Sequence, residues 1–250
     1  MADNIREDER ADYVNEKITL IQKKDGLTFG TDAFLLAAYT DAKRQGIAAE
    51  LGAGTGIISL LCAARDKFAK IYAFEIQEDF ASLAARNVRE NNFDGKVEVI
   101  CKDVRACSSK DTGKEVDAVF ANPPYMKTDS GKRNESDRKY IARHEVCGDI
   151  GDFCRAAYKL LRHGGKFYCV WRPDRLTDLI CAMRDNRLEP KKMTFVLADA
   201  DSEPSMVLVS AIKGGASGMK VSAPLLLYKN GTREMSDAAQ KIYDTMSFEI

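Results

Sequence analysis

Short apolar, β-branched runs alternate along the chain with segments whose apolar positions recur at helical spacing. The runs that predict strands are residues 47–51, 70–76, 96–100, 116–121 and 165–171. Continuous apolar runs of this length are typical of strands that are buried on both faces of a parallel sheet. Their alternation with helical segments indicates βαβ units and therefore a doubly wound α/β sheet.

Several of the intervening segments carry their apolar residues on one helical face. The three clearest faces are Phe80, Leu83, Ala84 and Val88; Phe153, Ala156, Ala157, Leu160 and Leu161; and Leu176, Leu179, Ile180 and Met183. Residues 57–64 predict a further helix between the first two predicted strands. Gly164-Gly165 predicts the end of the second of the three helices, because glycine is common just beyond a helix C-terminus.

The pattern changes in the C-terminal quarter of the chain. Residues 192–198 and 205–212 predict two strands, and the turn-rich segment between them predicts an antiparallel hairpin at a sheet edge. Residues 213–223 are rich in glycine and serine, which predicts a mobile loop.

The chain has 250 residues, which is enough to bury a sizeable core. We expect a single domain over residues 1–250, with a short N-terminal leader at about 1–20 and a C-terminal extension at about 220–250. The composition, 45% hydrophobic and 30% charged, argues against disordered and fibrous classes. The 38 basic residues balance the 38 acidic ones, so any nucleic-acid binding requires a local basic patch.

The seven cysteines are scattered and form no Cys-x-x-Cys pair. We therefore expect reduced thiols within the core and predict no metal site. The N-terminus is charged and lacks the apolar segment of a secretory signal, and no run is long enough to cross a bilayer. The sequence thus favours a cytoplasmic protein with no membrane partner, and it indicates no stable protein partner.

A glycine-rich loop, Gly52-Ala53-Gly54-Thr55-Gly56, joins the first predicted strand to the helix that follows it. Glycines at this place permit a sharp turn and a close approach of a ligand to the main chain. The dinucleotide fingerprint would require a small residue at Ile57, and a phosphate-binding P-loop would end in Gly-Lys-Ser/Thr. The loop therefore favours a ligand without a pyrophosphate.

Three acidic residues, Glu50, Glu75 and Asp103, lie at the carboxyl ends of the first three predicted strands. A carboxylate about 20 residues beyond such a loop can accept hydrogen bonds from a ribose diol. Ligands of open α/β sheets bind beyond the carboxyl ends of the strands, so we expect these acids to converge with the glycine loop. A ligand with a ribose, an adenine amine and a cation suits them, and S-adenosylmethionine has all three.

The fourth predicted strand is followed by Asn122-Pro123-Pro124-Tyr125. Two prolines fix the backbone and remove two N–H donors, so the carbonyl groups of Asn122 and Pro123 can face one external amine. Two acceptors on the hydrogens of a conjugated amine favour a pyramidal nitrogen and stabilise its developing charge. Tyr125 offers a face on which a flipped-out base can stack. The alternative is a rigid surface turn with no chemical role.

The three glycines, Glu75, Asp103 and the Asn-Pro-Pro-Tyr turn together resemble the Rossmann-like S-adenosylmethionine-dependent methyltransferases that modify planar amines. Residues 22–37, 140–145 and 224–243 are similar to segments of the bacterial adenine-N6 methyltransferases of valine tRNA, so the resemblance covers nearly the whole chain. It implies a mostly parallel, seven-stranded methyltransferase sheet that ends in an antiparallel hairpin. It also implies methylation of the adenine next to the anticodon.

The resemblance implies roles for individual residues. Those expected to bind the cofactor are Phe29, Gly30, Asp32, Glu50, Gly52, Gly54, Gly56, Glu75, Asp103 and Asn122. The first three would help to close the pocket, and Gly52 and Gly54 would line its methionine end. Glu75 would bind the ribose and Asp103 the adenine. The residues expected to act in catalysis are Asn122, Pro123, Pro124 and Tyr125. Glu50 stands where many members have Asp, which leaves the carboxylate chemistry intact.

The turn alone does not identify the acceptor, because related enzymes methylate adenine in DNA, guanine in ribosomal RNA and glutamine in release factors. Those enzymes usually carry an extra helical domain, a target-recognition domain or a second copy of the fold, and the sequence shows none of these. A compact RNA enzyme therefore fits best. The alternatives are a methyltransferase acting on ribosomal RNA or on a protein glutamine, and a non-catalytic RNA-binding protein with this fold.

The segment 126–145 directly follows the Asn-Pro-Pro-Tyr turn and has a modest excess of basic residues. Its basic residues, which we expect to contact the tRNA, are Lys127, Lys132, Arg133, Arg138, Lys139 and Arg143. A solvated loop and helix face is the alternative. Neither histidine is assigned to catalysis. His144 is expected to be a structural or surface residue, and His163, beside Gly164, is expected to cap a helix end.

Overall fold

The computed structural model describes residues 5–25, 30–124 and 148–248. The strands are β1 (Glu9–Asn15), β2 (Ile18–Lys23), β3 (Lys43–Leu51), β4 (Phe68–Glu75), β5 (Val97–Cys101), β6 (Val116–Ala121), β7 (Leu161–Trp171), β8 (Leu188–Leu197), β9 (Pro204–Lys213), β10 (Lys220–Val221) and β11 (Leu225–Leu226). The helices are α1 (Thr31–Tyr39), α2 (Ile57–Ala64), α3 (Glu78–Glu90), α4 (Ile150–Leu160), α5 (Leu176–Asp185) and α6 (Asp237–Thr245).

Within the described ranges, nine strands form one sheet in the order β10-β8-β9-β7-β6-β3-β4-β5, with β11 also beside β8. Strands β7, β6, β3, β4 and β5 are mutually parallel, and β9 is antiparallel to both β7 and β8. The predicted α/β class, with a mostly parallel sheet and a C-terminal antiparallel hairpin, is confirmed. The two-residue strands β10 and β11 extend the seven expected strands.

Alternate residues of the strands face opposite sides of the sheet, and both sides are buried. Phe120 and Tyr168 belong to the core that lies against α1, α2 and α6. Phe74 and Phe167 belong to the core that lies against α4 and α5. This double coverage explains why the strands appear in the sequence as continuous apolar runs.

The chain leaves α4 earlier than the two glycines predict. The helix ends at Leu160, and Leu161 is already extended, with φ −69° and ψ 141°. Leu161 pairs with Val116 and Lys166 pairs with Ala118, so several residues of β7 lie opposite Asp117 alone. Gly164-Gly165 therefore belongs to an irregularity within β7, and the prediction that it ends the helix is wrong.

His163 lies in the same irregular part of β7 and packs against Gly214. It is not at a helix end, so its predicted capping role is wrong.

The prediction of a loop over 213–223 is also wrong in part. Lys220 and Val221 form β10 because they continue the sheet beside β8. Further on, α6 packs on α1, where the rings of Tyr243 and Phe34 stack with centroids 4.0 Å apart.

The N-terminal strands β1 and β2 form an antiparallel hairpin that docks on α3. Asn87 and Asn91, one helical turn apart, each pair with the backbone of β2 through both amide atoms. Asn87 accepts from the N–H of Ile21 at 2.8 Å and donates to its carbonyl at 3.0 Å. Asn91 does the same with Thr19, at 2.9 and 2.8 Å. Asn87 also donates to the carbonyl of Thr55, which ties the hairpin to the glycine loop.

A buried ion pair strengthens the same contact. The guanidinium of Arg86 on α3 donates to both carboxylate oxygens of Glu9 on β1, at 2.8 and 2.9 Å. Hydrogen bonding from Arg86 lowers the pKa of Glu9 below its ordinary value despite the opposing effect of burial.

In the described part of the chain, no helix is both long and apolar enough to cross a membrane.

Candidate active site

The ends of four strands align at one edge of the sheet. Leu51, the last residue of β3, pairs with Phe74 of β4 on one side and with Ala121 of β6 on the other. The glycine loop and Asn122 therefore leave the sheet beside each other. Glu75 closes β4 in register with Cys101, the last residue of β5. The structure thus brings the predicted loop, acids and turn to one edge.

The glycine loop is anchored to β4, since the N–H groups of Gly52 and Ala53 both donate to the carbonyl of Phe74 at 2.9 Å. Gly52, Gly54 and Gly56 have φ of +72°, +55° and +83°, in the left-handed region that favours glycine. A Cβ added at Gly56 would lie 3.3 Å from Ala84 of α3, whereas one at Gly54 would meet no atom within 4 Å. Gly56 therefore permits close packing, and the space beside Gly54 is open to a ligand.

Glu50 is buried at the end of β3, and its carboxyl group turns toward the start of α2. It accepts from the N–H of Ser59 at 3.0 Å and from the hydroxyl of the same residue. Burial raises the pKa of Glu50 to about 8, against the lowering effect of the Ser59 hydrogen bonds. The protonated form is therefore populated at neutral pH. Glu50 therefore stabilises the glycine loop by linking β3, which precedes the loop, to α2, which follows it.

Glu75 holds the loop from the opposite side. Its carboxylate is 4% exposed and accepts from the N–H of Gly54 at 2.8 Å and from the N–H of Gln77 at 2.9 Å. A carboxylate has about four acceptor positions, so these two bonds leave capacity for a diol. Binding of a ribose by Glu75 stays a prediction.

Asp103 follows β5, and its carboxylate is paired with Arg105. The guanidinium of Arg105 donates to its carboxylate at 2.5 to 3.0 Å, and the N–H of Arg105 donates at 2.8 Å. Hydrogen bonding from Arg105 lowers the pKa of Asp103. An adenine amine would share this carboxylate with Arg105. The predicted adenine contact therefore stays a prediction.

Asn122 is the first residue beyond β6, and its side chain reaches α1. Its Nδ2 donates to Oδ2 of Asp32 at 2.8 Å. Asp32 lies in the first turn of α1, directly after the helix begins beyond Gly30. Pro123 is buried and Pro124 is half-buried. The structure therefore places Asp32 in contact with the first residue of the Asn-Pro-Pro-Tyr turn, a link that the sequence did not indicate.

Part of the predicted site lies outside the described residues. This applies to Phe29, Tyr125, His144 and the basic residues Lys127, Lys132, Arg133, Arg138, Lys139 and Arg143.

A cleft of about 860 Å³ opens on the far side of β6 from the glycine loop. It is lined by Thr31, Asp32, Trp171, Arg172, Pro173, Asp174, Glu203, Pro204, Ser205 and Met206. Sequence reasoning missed this cleft, to which Trp171 contributes as well as to the core. The ring is indeed buried, and its Nε1 donates to the carbonyl of Arg175 at 2.8 Å. The available signal was the carboxyl end of β7, which adjoins that of β6.

Comparison with known proteins agrees with this geometry. A family model described as the methyltransferase small domain matches residues 23–179. A tRNA1(Val) (adenine(37)-N6)-methyltransferase of Phocaeicola vulgatus is 30% identical over 195 residues, which cover 78% of this chain and 81% of that protein. The crystal structure of a predicted O-methyltransferase of Agrobacterium tumefaciens aligns with a TM-score of 0.71 at 23% identity, covering 88% of this chain and 98% of that one.

A second solved structure shares the fold. The geranyl diphosphate C-methyltransferase of Streptomyces coelicolor, solved with S-adenosyl-L-homocysteine, aligns with a TM-score of 0.52 at 16% identity, covering 72% of this chain and 78% of that one. The open left-handed backbone at Gly54 and the acceptor capacity of Glu75 fit S-adenosylmethionine, whose ribose carries a diol. This chain is an S-adenosylmethionine-dependent enzyme, and it belongs to the methyltransferase small domain family and, within it, to the tRNA1(Val) (adenine(37)-N6)-methyltransferases.

Proposed function

We propose that this protein methylates the exocyclic amine of the adenine next to the anticodon in a valine tRNA. The observation that carries the proposal is the place of Asn122. It stands at the end of β6, between β3 with the glycine loop and β7 with the cleft. The turn therefore separates a side suited to the cofactor from a side open to an acceptor.

S-adenosylmethionine, when bound, supplies an electrophilic methyl group on a sulfonium ion. The task of the chain is to prepare the acceptor nitrogen, whose lone pair is delocalised into the adenine ring. The side-chain oxygen of Asn122 and the carbonyl of Pro123 accept its two hydrogens and favour a pyramidal nitrogen. Such preorganised groups each contribute on the order of a few kcal/mol to the transition state. No strong general base is required, because the methylated nitrogen is acidic enough to lose its proton to water.

The cleft has the chemistry of a base site rather than of a phosphate site. Its walls include the apolar side chains of Trp171, Pro173 and Met206. Its ionisable lining residues are three acids and one arginine, and that arginine, Arg172, is paired with Asp174 at 2.9 and 2.7 Å. A phosphate would be repelled by this net negative charge, whereas a neutral ring with an amine would not. The volume lies within the usual range of ligand pockets.

The phosphates of the tRNA therefore need another surface. We assign this role to the basic residues of segment 126–145 on the strength of their place directly after the turn. Contacts to phosphates release counterions, so the KM for tRNA is expected to rise steeply with salt while cofactor affinity changes little. The charge reversals Lys132→Glu and Arg133→Glu should flatten this dependence. A KM that does not respond to salt would remove these residues from the RNA contact.

The first test is transfer of labelled methyl to unmodified total tRNA, followed by nucleoside analysis. The expected product is N6-methyladenosine, and a valine tRNA altered at the adenine next to the anticodon should accept no label. Asn122→Ala should lower turnover by roughly 100- to 1000-fold, with little change in the dissociation constant of the cofactor. Asn186→Ala is the matched control, because this asparagine lies at the end of α5, where it donates to Ala182. Incorporation of label into protein instead of tRNA would indicate that the acceptor is a protein glutamine.

A further inference from the structure

We propose that Asp32 is a positioning residue, which fixes the orientation of the Asn122 amide so that its oxygen faces the acceptor amine. The inference rests on the proposed function of the turn and adds a residue to it. It starts from the hydrogen bond between Asn122 Nδ2 and Asp32 Oδ2, which joins residues 90 positions apart in the chain.

The side-chain amide of asparagine can rotate by half a turn, and only one orientation is productive. A carboxylate accepts hydrogen bonds and donates none, so the –NH2 of Asn122 and not its oxygen faces Asp32. The amide is planar, and its oxygen therefore points away from the carboxylate. The reversed orientation would place the oxygen of Asn122 against the carboxylate and two N–H donors against the acceptor amine. Asp32 thus disfavours the orientation that cannot accept from adenine.

Asp32 is itself held in place at the start of α1. Its Oδ1 accepts from the N–H of Ala33 at 2.9 Å, which leaves Oδ2 for Asn122. A Cβ at Gly30 would lie 2.9 Å from Oδ1, so the carboxylate occupies the space that a side chain at residue 30 would need. The positive end of the helix also stabilises a negative charge in its first turn. The carboxylate is therefore fixed in position before any substrate binds.

The carboxylate also strengthens the acceptor. A hydrogen bond to an ionised group is stronger than one between neutral groups, and polarisation of the amide makes its oxygen more negative. Asparagine at position 32 could still accept from Nδ2, but it carries no charge and can itself rotate. The variant Asp32→Asn should therefore retain part of the effect, and Asp32→Ala should lose it.

The experiment measures single-turnover methylation of valine tRNA at saturating cofactor and tRNA. We expect a fall of roughly 10- to 100-fold for Asp32→Ala, the size of a charge-assisted hydrogen bond, and a smaller fall for Asp32→Asn. The cofactor dissociation constant, measured by calorimetry, should change less than about twofold. Asp178→Ala is the matched control, since it removes a first-turn carboxylate of α5 that is paired with Arg175 and lies outside the cleft. Its rate should remain near that of the wild type.

A second readout does not depend on turnover. The side-chain amide signals of Asn122 in a ¹⁵N spectrum are those that vanish in Asn122→Ala. They should move on Asp32→Ala, move less on Asp32→Asn and stay in place on Asp178→Ala. If Asp32 served only to stabilise the start of α1, Asp32→Ala would leave these signals in place and would lower the melting temperature.

The double variant Asp32→Ala with Asn122→Ala should be no slower than Asn122→Ala alone. An Asp32 effect of full size in that background would overturn the inference, as would an unchanged rate in Asp32→Ala. If Asn122→Ala itself keeps the wild-type rate, the proposed function of the turn fails instead. The two failures are therefore distinguishable.

Discussion

Replacing Glu50 by Gln tests the role of the buried carboxyl group behind the glycine loop. The folded protein raises the pKa of Glu50 to about 8 through burial, whereas the ordinary value is 4.5. Between these values the folded protein keeps a proton that the unfolded chain has lost, so its stability falls as the pH rises through this window. The full difference amounts to at most about 5 kcal/mol. The isosteric Gln keeps an acceptor for Ser59 and carries no proton to lose.

The measurement is the melting temperature of the cofactor-free protein between pH 5 and pH 9. The two proteins should be close in stability at pH 5, and Glu50→Gln should become more stable as the pH approaches 8. One kcal/mol changes the melting temperature of a domain of this size by about 2–4 °C, so the difference should be on the order of several degrees. Glu203→Gln, at an exposed carboxyl, is the control. Parallel curves for Glu50→Gln and the wild type would refute the reasoning.

Three further predictions concern other parts of the structure. Gly54→Ala places a methyl group where no protein atom lies within 4 Å, so calorimetry should show at least about tenfold weaker cofactor binding. Gly113→Ala, also at positive φ with open space, should leave that binding unchanged. Asn87→Ala leaves a buried N–H unsatisfied and should lower the free energy of unfolding by about 1–3 kcal/mol in urea. It should also weaken cofactor binding, and Asn91→Ala should not, because only Asn87 contacts the glycine loop; equal binding effects would contradict this. Burial raises the pKa of Asp117, but hydrogen bonds from an arginine and a lysine outweigh it and lower it to about 2. This carboxylate therefore contributes up to about 2 kcal/mol above pH 4 that is lost as the pH falls toward 2. Asp117→Asn should lower the free energy of unfolding at pH 7 and hardly change it at pH 2. An equal loss at both pH values would contradict this prediction.

The sequence predicted best the elements whose signals are local. The helix at 57–64 and the strand at 116–121 have the predicted bounds, since each is an apolar run with glycine, proline or a change of polarity at its limits. The glycine pair after α4 misled the prediction because the same residues serve helix ends and irregular strands. Only the pairing of β7 with β6 distinguishes the two.

The candidate site likewise has parts that the sequence predicted and parts that it did not. The positions of Gly54, Glu75 and Asn122 follow from motifs at strand ends, which parallel topology places at one edge. The contact between Asp32 and Asn122 depends on where α1 meets β6, and no spacing along the chain encodes it. The cleft was missed for a similar reason, because its walls come from α1, β7 and β9.

The two asparagines of α3 have a consequence for the solubility of the protein. The edge of β2 away from β1 presents backbone groups that no other described strand pairs with, and in other proteins such groups can recruit a strand from a second chain. Asn87 and Asn91 pair with these groups at Ile21 and Thr19 and so take the place of a neighbouring strand. Four helical residues rise by about 6 Å and two strand residues by about 6.7 Å, so the two spacings match for one step. A helix thereby closes a strand edge, and it does so in a single register.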